Sequence, residues 1–133
     1  DVGQDAFEEI DQVPMANASG ANFGWRCYEG NNVYNNSGCS GSNYIFPVYP
    51  YVTQNPSASV VGGTVYRGYV YQNMRGYYIA ADYFSGVFYK ITYNTSTSSW
   101  NTTTQTIASP LQVWLQLFAA FRSTGAPLAV PSA

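Results

Sequence analysis

Hydrophobic and polar residues alternate most regularly in the second half of the chain. Four segments rich in Tyr, Val, Thr and Ile follow one another there: residues 64–71, 77–82, 86–93 and 98–107. These residue types favour the half-buried surface of a pleated sheet. Short turns rich in Asn, Ser and Gly separate the segments, and successive strands with short connections form an antiparallel meander. The pattern therefore predicts a four-stranded antiparallel unit over residues 64–107.

The first half of the chain is much less periodic. Residues 7–13 have the pattern of one strand, whereas residues 14–63 show no clear period and contain four prolines. A loop of this length inside a compact domain is unusual unless it is functional or pinned. We therefore predict a long loop over residues 14–63, held by a disulfide and by aromatic side chains packed on a sheet.

The two cysteines, Cys27 and Cys39, lie in a stretch rich in Asn, Gly and Ser. They make a poor zinc site, because structural zinc takes four ligands and the chain has no His. A disulfide is the favoured interpretation, and disulfides persist in oxidising compartments. Four N-glycosylation sequons fit the same setting, and they begin at Asn17, Asn35, Asn94 and Asn101. We expect a secreted protein, extracellular or periplasmic.

The pattern changes after residue 110. Hydrophobic residues within residues 111–121 follow a helical spacing, which predicts a short apolar helix. They are Leu111, Trp114, Leu115 and Phe118. Residues 111–133 therefore form an atypical tail, and two interpretations of it stay open: a shifted reading frame and a genuine alternative ending.

Composition and charge limit the classes of partner. Charged residues make up 9% and aromatic residues 17%, a balance that favours a packed domain over disorder. The net charge is −2 and the five cations are scattered, which excludes an electrostatic footprint for nucleic acid. No apolar run reaches the roughly 18 residues of a membrane span. Five of the seven carboxylates lie within residues 1–11, a run compatible with either a cation site or a solvated face.

Four motifs occur in order between residues 1 and 110. They are Asp1-Val2-Gly3-Gln4 with Glu8-Glu9-Ile10; Asn22-Phe23-Gly24-Trp25 continuing to Cys27-Tyr28-Glu29-Gly30; Pro47-Val48-Tyr49 with Gly62-Gly63-Thr64-Val65-Tyr66-Arg67-Gly68; and Gly76-Tyr77-Tyr78-Ile79 with Asp82-Tyr83 and Ser85-Gly86. Together they resemble the C-terminal portion of the glucose/sorbosone dehydrogenase family of soluble quinoproteins. The resemblance implies an all-β fold in which residues 1–110 supply one to two blades of a six-bladed β-propeller.

One blade and a long loop cannot close a propeller. The resemblance therefore implies a part of a larger protein whose open sheet edges pair with the missing N-terminal part or with a second copy. We expect aromatic loops of such a module to be available to glycans.

The family resemblance also implies a chemistry. Family members transfer a hydride from a sugar to pyrroloquinoline quinone (PQQ), with a His as general base and a calcium ion that polarises the quinone. The backbone carbonyls of Gly3 and Gln4 correspond to calcium ligands, and carbonyl oxygens suit that hard cation. Tyr83 or Phe84 stands where quinone-binding members have a Lys, and only Arg122 is basic beyond Pro110. We therefore assign no catalytic or quinone-binding residue to this chain.

Two functions follow as expectations. The first is a non-catalytic extracellular module for binding, structure or assembly. The second is the C-terminal part of a PQQ- and calcium-dependent aldose or polyol dehydrogenase, active only when the complete protein supplies the quinone site and the base.

Overall fold

The computed structural model describes residues 1–41, 43–53 and 57–106. The described residues form an all-β structure of antiparallel sheets with two short 3₁₀ turns, and no α-helix occurs among them. None of their helical segments is long and apolar enough to cross a membrane. The predicted helix within residues 111–121 and the tail of residues 111–133 lie outside the described residues. Contacts divide the chain into two units, residues 1–62 and residues 63–133.

The first unit contains two small antiparallel sheets. Strand β1 (Phe7–Ile10) pairs with β4 (Tyr49–Val52), so that Phe7 lies opposite Val52. Strands β2 (Tyr28–Glu29) and β3 (Asn32–Val33) form a hairpin. A 3₁₀ turn at Met15–Asn17 follows β1.

Two predictions for this unit require correction. The strand predicted over residues 7–13 ends at Ile10, whose carbonyl accepts the N–H of Val48; Pro47 precedes Val48 and has no N–H to continue the pairing. The loop predicted over residues 14–63 contains β2, β3, β4 and the start of β5. Pro50 makes β4 difficult to predict from the sequence, although a proline is tolerated in an edge strand.

The predicted disulfide is confirmed. Cys27 and Cys39 are bonded with their Cα atoms 5.9 Å apart. Their bridge encloses the β2–β3 hairpin. Beside it, the rings of Trp25 and Tyr34 stack with centroids 5.1 Å apart. A covalent link and ring stacking therefore hold this part of the long loop. The rings stack on each other, whereas the prediction placed aromatic side chains against a sheet.

The predicted four-stranded antiparallel unit is present. Its strands are β5 (Val60–Val65), β6 (Tyr78–Asp82), β7 (Val87–Asn94) and β8 (Ser99–Thr106), and they lie side by side in chain order. The β7–β8 hairpin keeps one register from Val87 opposite Thr106 to Asn94 opposite Ser99.

The first strand of this sheet begins and ends earlier than predicted, at residues 60–65 instead of 64–71. The last contact with the next segment is made by Tyr66, whose N–H donates to the carbonyl of Tyr77 at 2.9 Å. Beyond Tyr66 the chain leaves the sheet and forms a 3₁₀ turn at Gln72–Met74. Its alternating aromatic residues belong to a connection and not to a strand.

Both faces of β6 are buried. Ile79 and Ala81 pack with Tyr66 on one face, where Met74, Tyr77 and Phe88 contact this cluster. Ala80 and Asp82, on the opposite face by strand alternation, are also buried. A side-chain-stabilised turn follows β6, because Asp82 Oδ1 accepts hydrogen bonds from the N–H groups of Phe84 and Ser85 at 3.0 and 2.7 Å.

Candidate functional site

The first seven residues wrap around the carboxylate of Glu29. Its Oε1 accepts the backbone N–H groups of four consecutive residues at 2.7 to 3.2 Å. They are Gln4, Asp5, Ala6 and Phe7. Only 3% of Glu29 is exposed. Burial alone would raise the pKa of Glu29, but the four N–H donors hold its pKa below the ordinary value. Glu29 is therefore ionised and is the centre of this turn.

The predicted calcium-facing pair, Gly3 and Gln4, lies in this turn. Gly3 packs so closely on the chain that a Cβ atom there would overlap the carbonyl of Phe7. The two residues line a cavity of about 280 Å³. Its other lining residues are Asp1, Val2, Glu9, Trp25 and Glu29. The cavity therefore combines the predicted carbonyl segment with three carboxylate side chains.

A second group of carboxylates overlaps the cavity. Asp1, Glu9 and Asp11 each offer a carboxylate oxygen, and these oxygens lie within 4.8 Å of one another. Asp11 Oδ1 is buried and has no hydrogen-bond partner among the described residues. Burial raises the pKa values of Glu9 and of Asp11. Like charges that lie close together away from water repel each other, so binding of a cation or a proton stabilises such a group of carboxylates.

The glutamates of β1 have structural partners that sequence reasoning missed. Glu8 Oε2 accepts the N–H of Val60 at 2.9 Å, and Glu9 Oε1 accepts the N–H of Gly30. Both side chains are buried, although neighbouring residues of a strand point to opposite faces. The sequence carried one hint, because two adjacent carboxylates lie in a predicted strand of a chain that has only 9% charged residues. The solvated-face interpretation therefore fails for Glu8 and Glu9.

None of the four sequon asparagines is among the residues that line the cavity. Asn17, Asn35 and Asn101 are exposed, and Asn94 is half-buried. Two of the side chains stabilise turns: Asn35 Oδ1 accepts the N–H of Ser37, and Asn94 Oδ1 accepts those of Ser96 and Thr97. That these asparagines carry glycans stays a prediction.

The chemistry of the cavity fits a hard cation and does not fit a quinone cofactor. Carboxylate and carbonyl oxygens are the ligands that calcium prefers. Two of the lining carboxylates, those of Asp1 and Glu9, also lie within 4.8 Å of a carboxylate oxygen of Asp11. PQQ is itself a carboxylate anion. No Lys or Arg lies among the residues that line the cavity, so its carboxylates would meet like charges instead of the cations that usually bind them.

The chain is similar in sequence to one segment of longer plant proteins. It is 37% identical over 100 residues to the HIPL1 protein of Arabidopsis thaliana, a match covering 65% of this chain and 14% of that protein. It is 36% identical over 96 residues to the HIPL2 protein of the same organism, covering 64% and 13%. The chain thus spans about one seventh of the length of these curated relatives. No family model and no solved structure matches it.

Replacing the buried Glu9 by its neutral isostere is expected to leave the fold intact. Glu9→Gln keeps an oxygen for the N–H of Gly30 and removes a desolvated charge beside Asp11. Because the folded state raises the pKa of Glu9, ionisation lowers stability as the pH rises above the ordinary value near 4.5. At pH 7 the free energy of unfolding should therefore be unchanged or higher by up to about 1 kcal/mol. Urea denaturation at about pH 4 and pH 7 measures this, and a loss above roughly 1.5 kcal/mol would contradict it.

Proposed function

We propose that this chain is a segment of a secreted, propeller-like protein related to the glucose/sorbosone dehydrogenases, and that it acts as a non-catalytic binding and assembly module. The observation that carries the proposal is the four-stranded antiparallel sheet of β5 to β8, which has the strand number of one propeller blade. The Cys27–Cys39 disulfide supports an oxidising compartment. The chain has no His, so the family's general base would have to come from another part of a complete protein.

The outer edge of β8 supports the assembly function. β8 is the last strand of the sheet, and its eight residues pair with β7 on one side only among the described residues. Its sequence, Ser99–Thr106, contains no charged residue and no proline. Natural edge strands usually carry such residues to prevent pairing with other chains. An edge without them suits the addition of another strand, either from the rest of a propeller or from a second copy.

Charges placed on this edge are expected to abolish self-association. Thr104 and Thr106 are exposed on β8 and lie opposite Tyr89 and Val87 of β7. The double variant Thr104→Lys, Thr106→Lys should be monomeric where the unmodified chain forms dimers or larger species, because lysines on an edge repel a second edge. Size-exclusion chromatography with light scattering measures the difference.

The matched control is Thr95→Lys, which adds a lysine at the exposed turn of the same hairpin without touching the edge. This variant should associate like the unmodified chain. A stable monomer of the unmodified chain, or an equal loss of association with Thr95→Lys, would contradict edge pairing.

A second candidate function is the calcium-holding part of a complete sugar dehydrogenase. The observation that favours it is the position of Gly3 and Gln4 beside Glu9 in one cavity. Calcium bound at carbonyl and carboxylate oxygens of this chain would supply a positive charge to a neighbouring site. The quinone-binding cations and the His base would have to come from other parts of a complete protein.

Calcium is expected to stabilise the unmodified chain and to act less on variants of the acidic group. At pH 7 an excess of calcium should raise the melting temperature, since an ion that binds only the folded state stabilises it by mass action. Glu9→Gln and Asp11→Asn should each weaken this effect about tenfold in calcium concentration, because each removes a charged oxygen ligand. Asp5→Asn is the control, since Asp5 is exposed and outside the group. An equal response of all four proteins would contradict the calcium site.

A further inference from the structure

Charge is divided unequally between the two units. Residues 1–62 contain six carboxylates and one cation, a net charge of −5, whereas residues 63–133 contain one carboxylate and four cations, a net charge of +3. The one carboxylate of the second unit is Asp82, which is buried and bonded within its own turn. The exposed charges in the described part of the second unit are therefore positive.

Two of these cations belong to the connection between β5 and β6. We call residues 67–75 the Arg–Tyr loop, since it contains Arg67, Tyr69, Tyr71 and Arg75. Tyr69 is 75% exposed, Val70 69% and Tyr71 51%. The guanidinium carbon of Arg75 lies 5.5 Å from the centre of the Tyr69 ring. An exposed apolar triplet and a cation that packs on one of its rings thus form one surface.

Hydrogen bonds fix both ends and the middle of this loop. Tyr66 donates its N–H to the Tyr77 carbonyl, and its own carbonyl accepts the N–H of Gly76, both at 2.9 Å. Arg67 and Arg75, which are adjacent in sequence to Tyr66 and Gly76, therefore flank the neck of the loop. The buried hydroxyl of Tyr66 accepts the N–H of Tyr71 at 3.0 Å. These hydrogen bonds fix the backbone that carries the exposed rings, so less conformational entropy is lost when a partner binds.

This combination selects a particular class of partner. A guanidinium that packs on an aromatic ring keeps its N–H fork for a carboxylate, and charge-assisted pairs of this kind are stronger than neutral hydrogen bonds. Tyr and Arg are also the residues that carry most binding energy in protein interfaces. Contiguous exposed apolar surface usually marks an interaction site. The absence of an exposed carboxylate in the described part of this unit favours an anionic partner over a cationic one.

We propose that the Arg–Tyr loop binds an acidic, aromatic-containing segment of a partner protein. Carboxylates of the segment pair with Arg75 and Arg67, and its aromatic side chains pack on Tyr69, Val70 and Tyr71. The loop is a connection and not a sheet edge, so this binding is independent of strand addition at β8 and does not rest on the propeller assignment.

The test measures binding of the complete chain to a fluorescently labelled glutamate–tyrosine copolymer by anisotropy. The unmodified chain should bind, and the affinity should fall as salt is raised because the partner is anionic. Tyr69→Ala and Arg75→Ala should each bind about fivefold more weakly or worse, because truncation of an interface residue that matters for binding costs more than about 1 kcal/mol. Circular dichroism verifies that each variant is folded.

Two matched controls substitute the same residue types, a tyrosine and an arginine, at positions outside the Arg–Tyr loop. Tyr83→Ala removes a tyrosine that is also half exposed, in the turn at the other end of β6. Arg26→Ala removes an exposed arginine of the first unit, whose Nη2 donates to the Ser37 carbonyl. Both should bind the copolymer like the unmodified chain. An equal loss with either control would overturn the proposal.

Three further outcomes would also overturn it. The first is no binding of the copolymer. The second is tighter binding of polygalacturonate than of the copolymer, with the same dependence on Arg75, which would indicate an acidic polysaccharide as the partner. The third is salt-sensitive self-association that Arg75→Ala abolishes while copolymer binding persists, which would indicate the acidic unit of a second copy.

Discussion

Glu29→Ala is expected to lower the free energy of unfolding by about 3–5 kcal/mol, a large share of the stability of a small domain. The carboxylate of Glu29 is the shared acceptor of four backbone N–H groups, from Gln4 to Phe7. Its removal leaves these donors without a partner in a part-buried place, and each orphaned donor costs about 1–3 kcal/mol. Water entering the space of the lost side chain satisfies some donors, so the total stays below the sum of four losses.

The effect of Glu29 should also appear in the pH dependence of stability. Its four donors lower the pKa in the folded state, so the unfolded state binds the proton more tightly. The stabilisation is therefore complete above the unfolded pKa, near 4.5, and is lost as the pH falls through the folded value. The unmodified chain should lose stability below about pH 4.5, and Glu29→Gln should show a shallower loss, because an amide does not titrate there.

Two variants place limits on this interpretation. Glu29→Gln keeps one oxygen acceptor without its charge, and it should lose about 1.5–3 kcal/mol at pH 7. Asp5→Ala removes an exposed carboxylate of the same segment, whose Oδ2 accepts the Tyr34 hydroxyl at 2.9 Å, and it should lose less than about 1 kcal/mol. Urea denaturation of the three variants measures the order. Equal losses for Glu29→Ala and Asp5→Ala would show that the turn does not depend on Glu29.

Opposite effects are expected for the two glutamates that face the same cavity. Neutralising Glu29 removes favourable contacts of its charge, whereas neutralising Glu9 relieves a charge that burial disfavours. Their sequences do not distinguish them, since each is a Glu beside a Gly or an Ile in a short strand. The difference comes from tertiary contacts, because four donors meet Glu29 from a segment more than twenty residues away.

Local pattern was enough to predict the four-stranded sheet, but not the bounds of its first strand, β5. β6, β7 and β8 are joined by short turns, so their pairing partners are near in sequence and the alternation of side chains is visible. β5 is separated from β6 by the longer connection of residues 66–77. The first unit was predicted less well for the opposite reason. Phe7 pairs with Val52, so the two strands are far apart in sequence and no short turn indicates their pairing. β4 also contains Pro50, a residue that is uncommon in strands. The disulfide was predictable because the chain has two cysteines and no alternative chemistry for them.

The candidate site was predictable only in part. The resemblance directed attention to Gly3 and Gln4, and both line the cavity with Glu9. The role of Glu29 was not predicted, because a carboxylate that binds backbone N–H groups has no periodic pattern. Asp11 was one member of an acidic run, and its buried, unpartnered Oδ1 becomes apparent only when the strand pairing is known.

Gly63→Ala is expected to be the most destabilising single-methyl change in the described sheet, with a loss of more than about 3 kcal/mol. A Cβ atom on Gly63 would overlap the carbonyl oxygen of Ile79 and would approach the Cα atom of Ala80 to 3.1 Å. Both neighbours are backbone atoms of β6, and they cannot rotate away as a side chain would. Both faces of β6 are buried, so the strand has little room to shift.

The adjacent glycine provides a matched control for this effect. A Cβ atom on Gly62 would have no atom within 4 Å, so Gly62→Ala should change stability by less than about 0.5 kcal/mol and can raise it by restricting the unfolded chain. The two variants have the same composition and differ only in the place of one methyl group. Thermal and urea denaturation of both measure the difference, and hydrogen exchange should show lost protection in β5 and β6 of Gly63→Ala. Equal stability of the two would mean that β5 does not approach β6 so closely, and the paired glycines would then act only through chain flexibility.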